Sequence, residues 1–390
     1  MSAALFSFRR PNLAANYCDA LVGTGIIDAR SGLFLAAPRR TGKSTFLRED
    51  LLPAMLDRGW TTVYVDLWSN RAADPANLIA AAVKSALSKF NGVITKLAKA
   101  TGLEKVNVFG ALSLNFHSLD LPPNVTLLDA LEALQTAAAA PVVVIIDEAQ
   151  HAISTQAGMD AMFALKAARD HLNQSLDGKQ KLYLVFTGSN QDKLSRLVLK
   201  KAQPFYGCQV SRFPLLEDGY SDAYTDYINK KLSENNQFNK QVVWSAFKLV
   251  GQRPEMLRGI IGDLALDGGA DALQDALNAG AHAFQERIWG EMESEFNALT
   301  TIQRAVLIRI IEAGKDYEPF NDASLRAYQA YVGKKVNTSE AQGALAALRE
   351  KNLVWQAAYG DYALEDESIV AWFNSQVKSK LSTMPISTPP

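Results

Sequence analysis

The segment LFLAAPRRTGKST, Leu33 to Thr45, constrains this chain more than any other. A short apolar run, Leu33 to Ala37, stops at Pro38 and passes through Arg39, Arg40, Thr41 and Gly42. Lys43, Ser44 and Thr45 then open a helical pattern. Strand, tight turn and helix in that order predict a phosphate-binding loop. The first N–H groups of a helix have no intrahelical acceptor and sit at the positive end of its dipole, so the turn feeding the helix cradles phosphate oxygens. In such a loop Lys43 sets a point charge on the β- and γ-phosphates and the Ser44 hydroxyl ligates Mg²⁺, which makes ATP and Mg²⁺ the expected cofactors. Ala37 stands where the pattern usually opens with Gly, and its methyl group is compatible with a negative φ.

A second stretch supplies the complementary chemistry. Val142 to Ile146 is continuously apolar, as a central parallel strand covered on both faces must be, and Asp147 and Glu148 follow it directly. At the tip of a strand beside the phosphate loop, Asp147 would hold Mg²⁺ through its water shell and Glu148 would polarise the attacking water. His151 comes next, as a structural histidine or a reporter on the γ-phosphate. The other three histidines are scattered, so no metal cluster is expected.

Around these motifs the pattern alternates. A helix is expected from Lys43 to Leu56 and a buried strand from Thr61 to Leu67. Helical sequence runs from Asp74, a cap followed by Pro75, to about Lys99, and another helix over 126–139 is capped by Thr126. Strands follow at Leu182 to Thr187 and near Cys208 to Phe213. Strand, helix, strand is the opening of a doubly wound α/β fold. Ser189 and Asn190, just past a strand end, are placed to hydrogen-bond the γ-phosphate or the water. The next helix carries Lys193, Arg196, Lys200 and Lys201, and a cation there could complete a neighbouring subunit's site, an effect on the order of a thousandfold in rate. Trp68 to Arg71 reads as a packed Trp or a polymer contact. Val106, Val108, Leu112, Leu114 and Phe116 alternate around Gly110 as an edge strand or a hairpin. Upstream, a short helix is expected at Leu13 to Val22, and Arg9-Arg10-Pro11 is either a solvated arm or a contact near the nucleotide base.

From Leu216 to about Gly290 the pattern is helical, with Pro254 opening a helix whose first turns bring Arg253 and Arg258 near its start. Three helices follow, capped by Thr300-Thr301, by Asp322 and by Thr338 or Ser339, and then a hairpin signal at Tyr359-Gly360-Asp361. Three helices and a hairpin form the winged-helix plan, with a modest basic footprint at Lys334, Lys335, Arg349 and Lys351, for DNA or for protein contact. The expected domains are a lead-in (1–31), a P-loop core (32–215), a helical lid (216–290), a winged helix (291–375) and a Ser/Thr/Pro-rich disordered tail (376–390).

Composition bounds the setting. Forty basic and 41 acidic residues give a formal charge of −1, so any nucleic-acid contact needs a local patch. Cys18 and Cys208 offer neither a disulfide framework nor a zinc spacing, which fits a reducing, cytoplasmic setting. The opening MSAALFSFRRPN lacks the pattern of a signal peptide. The longest apolar stretch, Ala137 to Ile146, is too short to span a bilayer, so no membrane partner is expected.

Taken together, APRRTGKST, VVVIIDEAQHA, FTGSN, QPFYG and GQRPEML resemble the Walker A, Walker B, sensor 1, pre-strand and sensor 2 segments of the AAA+ ATPases. The likeness is to archaeal-type ATPases near the origin-recognition initiators and the transposition-regulator ATPases, with a C-terminal winged helix. It implies an α/β fold: a parallel sheet in a three-layer αβα P-loop core, then a helical lid and a winged helix. It also implies that Lys43, Ser44, Asp147 and Glu148 carry the ATPase chemistry, with Ser189 or Asn190 as sensor 1 and Arg253 as the leading sensor 2. Relatives often place Arg directly after the YG; here that residue is Cys208, which leaves Arg196 as first candidate for the arginine finger. The function implied is an ATP-hydrolysing homo-oligomer, ring or filament, that acts on DNA or loads a partner protein onto it. The alternatives are a STAND-type switch with slow hydrolysis, disfavoured because such switches carry long C-terminal sensor repeats, and a protein remodeller gripping substrate with the Trp68 loop.

Overall fold

The structure, a computed structural model, describes residues 6–100, 125–174, 181–267, 273–358 and 360–378. The alternating stretch around Gly110 and the segment from 379 onward lie outside them. The chain forms two compact units: one of Arg9–Ala37 with Lys43–Phe213, the other of Pro38–Gly42 with the chain from Pro214 onward and the residues up to Phe8.

The first unit is built on a five-stranded parallel sheet of β1 (Leu33–Ala36), β2 (Thr61–Asp66), β3 (Val142–Asp147), β4 (Leu182–Gly188) and β5 (Val210–Arg212). Their order is β2-β3-β4-β1-β5, so β1, the strand that feeds the phosphate-loop turn, lies between β4 and β5. β3 and β4 are buried along their whole length, as their continuous apolar sequences require when both faces are covered. Side chains alternate between the faces. Val142, Val144, Ile146, Leu184 and Phe186 pack into one apolar layer with residues of the helices Pro75–Ser88, Leu127–Ala138 and Gln156–Asn173. Val143, Ile145, Tyr183 and Val185 enter the opposite layer, with Ala14, Cys18 and Leu21 of the helix Pro11–Val22 and Phe46, Leu47 and Leu51 of the segment that begins at Lys43. The helix expected at Leu13 thus starts at Pro11, a residue preorganised for a first helical position, and packs as part of the sheet unit.

Several local readings are sharpened. The segment after Lys43 is α-helical over Lys43–Phe46, widens to a π-turn over Leu47–Leu51 and is α-helical again over Leu52–Asp57. The π-turn presents Asp50, whose Oδ1 accepts from Arg9 Nε at 2.8 Å and from the Arg10 backbone N–H at 3.0 Å. Arg9 and Arg10 therefore anchor the chain's first helix rather than forming a free arm. The Arg10 guanidinium lies 4.4 Å from the Phe213 ring centroid. Asp74 and Thr126 cap their helices as expected. The basic helix expected after β4 is helical only over Gln191–Ser195, and Leu197 to Gly207 run as turns closed by backbone bonds from Phe205 to Leu197 and from Gly207 to Val198.

The second unit holds two apolar clusters. Four helices, Asp218–Asn229, Lys240–Leu249, Pro254–Asp267 and Leu273–Asn297, contribute to one of them. Helices Thr301–Ala313, Asp322–Val332 and Thr338–Glu350 and an antiparallel hairpin, β6 (Val354–Ala358) with β7 (Asp361–Leu364), contribute to the other. The 25-residue helix Leu273–Asn297 serves both, with Leu277 and Ala281 in the first cluster and Phe296 in the second. Thr300 caps its helix through a reciprocal pair with Gln303, but the other two caps fall one residue earlier than expected. They are Asn321, which accepts from the Ser324 N–H, and Asn337, which exchanges bonds with Glu340. An Asn carbonyl reaches an N–H of the first turn as well as the neighbouring hydroxyl or carboxylate would.

Phe186 is the central aromatic of the sheet: its ring centroid lies 4.6 Å from that of Phe34 and 4.6 Å from that of Phe205. Phe186→Ala should lower unfolding stability by about 3–5 kcal/mol in chemical denaturation, and a loss below about 1 kcal/mol would contradict this packing.

Candidate active site

Parallel pairing carries Asp147 and Thr187 to the same end of the sheet, and β1 delivers the chain there too. Ala37 N–H donates to the Gly188 carbonyl at 3.1 Å. The chain then turns through Pro38–Gly42, where the Thr41 hydroxyl donates to the Pro38 carbonyl at 2.8 Å and Gly42 adopts φ +88°, a left-handed backbone that favours glycine. Arg40 also has a positive φ, +68°, and its Nε lies 3.3 Å from Glu255 Oε2. Arg39 and Thr45 are exposed.

Lys43, only 5% exposed, directs its ammonium group onto three side chains: Asp147 Oδ1, Glu148 Oε1 at 3.2 Å and Thr187 Oγ1 at 3.1 Å. Asp147 Oδ1 also accepts from Thr187 Oγ1 and from the Glu148 backbone N–H at 3.0 Å. Its Oδ2 accepts from Ser44 Oγ at 2.9 Å and from Tyr64 OH at 3.0 Å. Glu148 is held as tightly, with Oε2 taking bonds from Gln150 Nε2, from Ser189 Oγ at 2.7 Å and from Ser189 N at 3.3 Å. Its backbone is left-handed (φ +56°). This conformation costs an L-residue energy and is kept where the surroundings over-determine it.

Burial alone pushes the Asp147 carboxyl up. The charge of Lys43 and hydrogen bonds from Lys43, Thr187 and Ser44 outweigh that effect, so the group sits below its ordinary value. The same balance holds for Glu148: burial raises it, and Lys43, Ser189 and Gln150 bring it below the ordinary glutamate value. Both acids are anions held by one buried cation.

Lys43, Ser44, Asp147, Glu148 and Ser189 are thus brought together. Asn190 is used differently, its Oδ1 capping the short helix at the Lys193 N–H (2.7 Å). Arg196 bonds the buried Asp192 carboxylate at 3.0 Å and 3.2 Å. Arg253 lies in the second unit, where its Nη2 is 3.5 Å from Asp366 Oδ2. Trp68 packs on His151 at 4.4 Å between ring centroids and lies under Arg71 at 4.3 Å, so the aromatic loop is a packed one. Sequence reasoning passed over Tyr64, Gln150 and Thr187. Thr187 and Gln150 stood inside the quoted motifs, whereas Tyr64 carried no sign beyond its alternate place on β2.

Among the described residues no group of three or more His, Cys, Asp or Glu side chains gathers as a protein-only metal cage. One hydroxyl and one carboxylate in hydrogen-bond contact, Ser44 and Asp147, suit a hard cation that takes its remaining ligands from phosphate and water, as Mg²⁺ does. No described helix is long and apolar enough to cross a membrane.

No protein-family model and no curated protein sequence matches the chain. Solved structures do. The Walker-type ATPase paby2304 of Pyrococcus abyssi is 18% identical with a TM-score of 0.53, over 94% of this chain and 96% of that one. The ADP form of the Aeropyrum pernix ORC2 protein is 14% identical with a TM-score of 0.54, over 96% and 94%. At these identities the likeness is one of fold, and it extends along nearly the whole chain: the protein has the fold of archaeal Walker-type and origin-recognition AAA+ ATPases.

Removing the cation from this site gives a pH-dependent signature. With Lys43 present, both carboxyls are depressed, so their stabilisation is complete above the unfolded values (about 3.9 and 4.3) and is lost as pH falls through the lower folded ones. In Lys43→Met the charge that opposes burial is gone and only hydrogen bonds remain against it, so both groups move up and the expected pH dependence is the reverse of the parent's. Nucleotide-free Lys43→Met should lose about 3 kcal/mol at neutral pH and gain melting temperature on going to about pH 5, where the parent protein does not. Parallel pH profiles for the two proteins would refute the ion pair.

Proposed function

We propose that the protein is a Mg²⁺-dependent ATPase that assembles into an oligomer and acts on DNA or loads a partner protein onto it. The observation that carries the ATPase reading is the convergence of Lys43, Ser44, Asp147 and Glu148 at one end of the parallel sheet. That a protein of the same fold, the Aeropyrum pernix ORC2 protein, is described in an ADP form supports nucleotide binding here.

In this reading the backbone of residues 38–45 holds the phosphates, and Lys43 turns from the carboxylates to the β- and γ-phosphates. Ser44 and Asp147 hold Mg²⁺, which would neutralise charge on the phosphate oxygens. Departure of Lys43 removes the charge that most depresses Glu148, so the carboxylate becomes a better proton acceptor when a nucleotide is in place. Glu148 then takes a proton from the attacking water while Ser189 orients it. Arg253 is proposed as the sensor 2 arginine from its place in GQRPEML. Arg196, 44% exposed on its side chain and steadied by Asp192, is the proposed cation for a neighbour's site.

For the DNA reading, the described surface of the third C-terminal helix is instructive. Its exposed positions are Thr338, Ser339, Gln342, Gly343, Ala346 and Glu350, and its single arginine, Arg349, donates to Gln356 Oε1 at 3.0 Å. Exposed cations flank this helix at Lys334, Lys335 and Lys351 while its own exposed positions carry none, so contact with a duplex through this module would rest on the two ends of the helix.

Glu148→Gln should retain ATP and cut turnover by about a hundredfold or more, measured as phosphate release; parent-like turnover would overturn the assignment. Arg196→Ala should keep nucleotide and lose turnover, and mixing it with Glu148→Gln protein should restore part of the activity. Absence of restoration would count against a shared site.

One contact favours the switch as a second reading. Asp366, just after the hairpin, holds Arg253, so the arginine proposed to sense nucleotide is engaged by the C-terminal module. Asp366→Ala should then raise turnover about threefold, whereas an unchanged rate would remove the support for a switch.

A further inference from the structure

The inference rests on the ATPase reading and extends it to a residue outside the recognised motifs. Five donors hold the Asp147 carboxylate: Lys43 Nζ, Thr187 Oγ1 and the Glu148 N–H on Oδ1, and Ser44 Oγ and Tyr64 OH on Oδ2. They differ in what a nucleotide would do to them. Lys43 would leave for the phosphates, and Ser44 would turn an oxygen lone pair to the metal. Of the donors that remain untouched, Thr187 and the Glu148 N–H both bind Oδ1, and on Oδ2 only Tyr64 is left.

We propose that Tyr64 is the positioning residue for the metal: its hydroxyl fixes the Asp147 oxygen that faces Ser44, and so sets the carboxylate plane that orders the cation's water shell. Tyr64 can do this because it stands on β2, the strand next to β3 and on the far side of β3 from β1. Its Cα partner across the ladder is Ile145, two residues before Asp147 and on the same face of the sheet. Its ring is held in turn by Arg48, whose guanidinium lies 5.5 Å from the ring centroid. Arg48 is four residues after Ser44 on the segment that leaves the phosphate loop, so helix, tyrosine and carboxylate close a loop on the metal side of the site. A rigid ring presenting one hydroxyl loses little side-chain freedom, which suits a group that orients without reacting. Partners that orient a metal's direct ligands typically contribute ten- to a hundredfold in metal affinity.

The test is Tyr64→Phe, which keeps the ring beneath Arg48 and removes the hydroxyl, with its bonds to Asp147 and to Arg48. Binding of a fluorescent ATP analogue is followed across a Mg²⁺ titration and in EDTA, alongside turnover. The expected result is a rise of about tenfold in the Mg²⁺ concentration for half-maximal tight binding, unchanged nucleotide affinity in EDTA, and turnover restored by excess Mg²⁺. A Mg²⁺ dependence equal to that of the parent protein would overturn the proposal and leave the ATPase reading standing. So would a loss of affinity in EDTA that excess Mg²⁺ does not repair, because that marks a general packing defect. A parent protein that binds no nucleotide at any Mg²⁺ level would overturn the ATPase reading, and the role of Tyr64 with it.

Discussion

One buried cation between two carboxylates decides the character of the sheet's active end. Lys43 is nearly sealed from water, and so is Asp147, with Glu148 only slightly more open. Charges in such surroundings are stable only when matched and fully hydrogen-bonded, and here each is. The ammonium has three acceptors, and the two acids share donors from β2, β4, the phosphate-loop helix and the backbone between them. The arrangement is costly to disturb in part, because removing any one of the three charges leaves the others buried without their match.

The topology explains why these groups meet although they are far apart in sequence. A parallel sheet directs every strand's carboxyl end the same way, and the order β2-β3-β4-β1-β5 sets the acid-bearing strand two positions from the strand that feeds the phosphate loop. The strand between them, β4, contributes Thr187 to the middle of the cluster and Ser189 just past its end. A Cβ on Gly188 would meet the Gln150 amide oxygen at 2.5 Å, so any side chain there would displace the amide that bonds Glu148. Small residues at the rim of the sheet thus make room for the polar network above them.

Most of the fold was legible because its signals are local. Val142 to Ile146 could only be a strand covered on both faces, and Lys43 and Asp147 followed from motifs whose chemistry demands those residue types. The rest depended on tertiary choices. Nothing local to Asn321 or Asn337 says that an Asn, rather than the Asp or Thr beside it, supplies the cap, because several neighbours can make the same bond. The turns after Ser195 replace an expected helix because the chain folds back, with Phe205 and Gly207 bonding to Leu197 and Val198. Tyr64 was read only as part of a buried strand, since which face of β2 meets Asp147 is fixed by register with β3 and not by β2 itself. Asn190 looked equivalent to Ser189 until its side chain proved committed to a helix start.

The helix Leu273–Asn297 has a mechanical corollary. With 25 residues it is about 37 Å long at 1.5 Å per residue, and its two ends are seated in different apolar clusters. The seats at Leu277 and Phe296 are 19 residues apart on one rod, about 28 Å, so a tilt of about 10° about the first would carry the second through roughly 5 Å, about one helical turn. Small rearrangements among the helices that hold Leu277 would thus arrive, magnified, at the hairpin end.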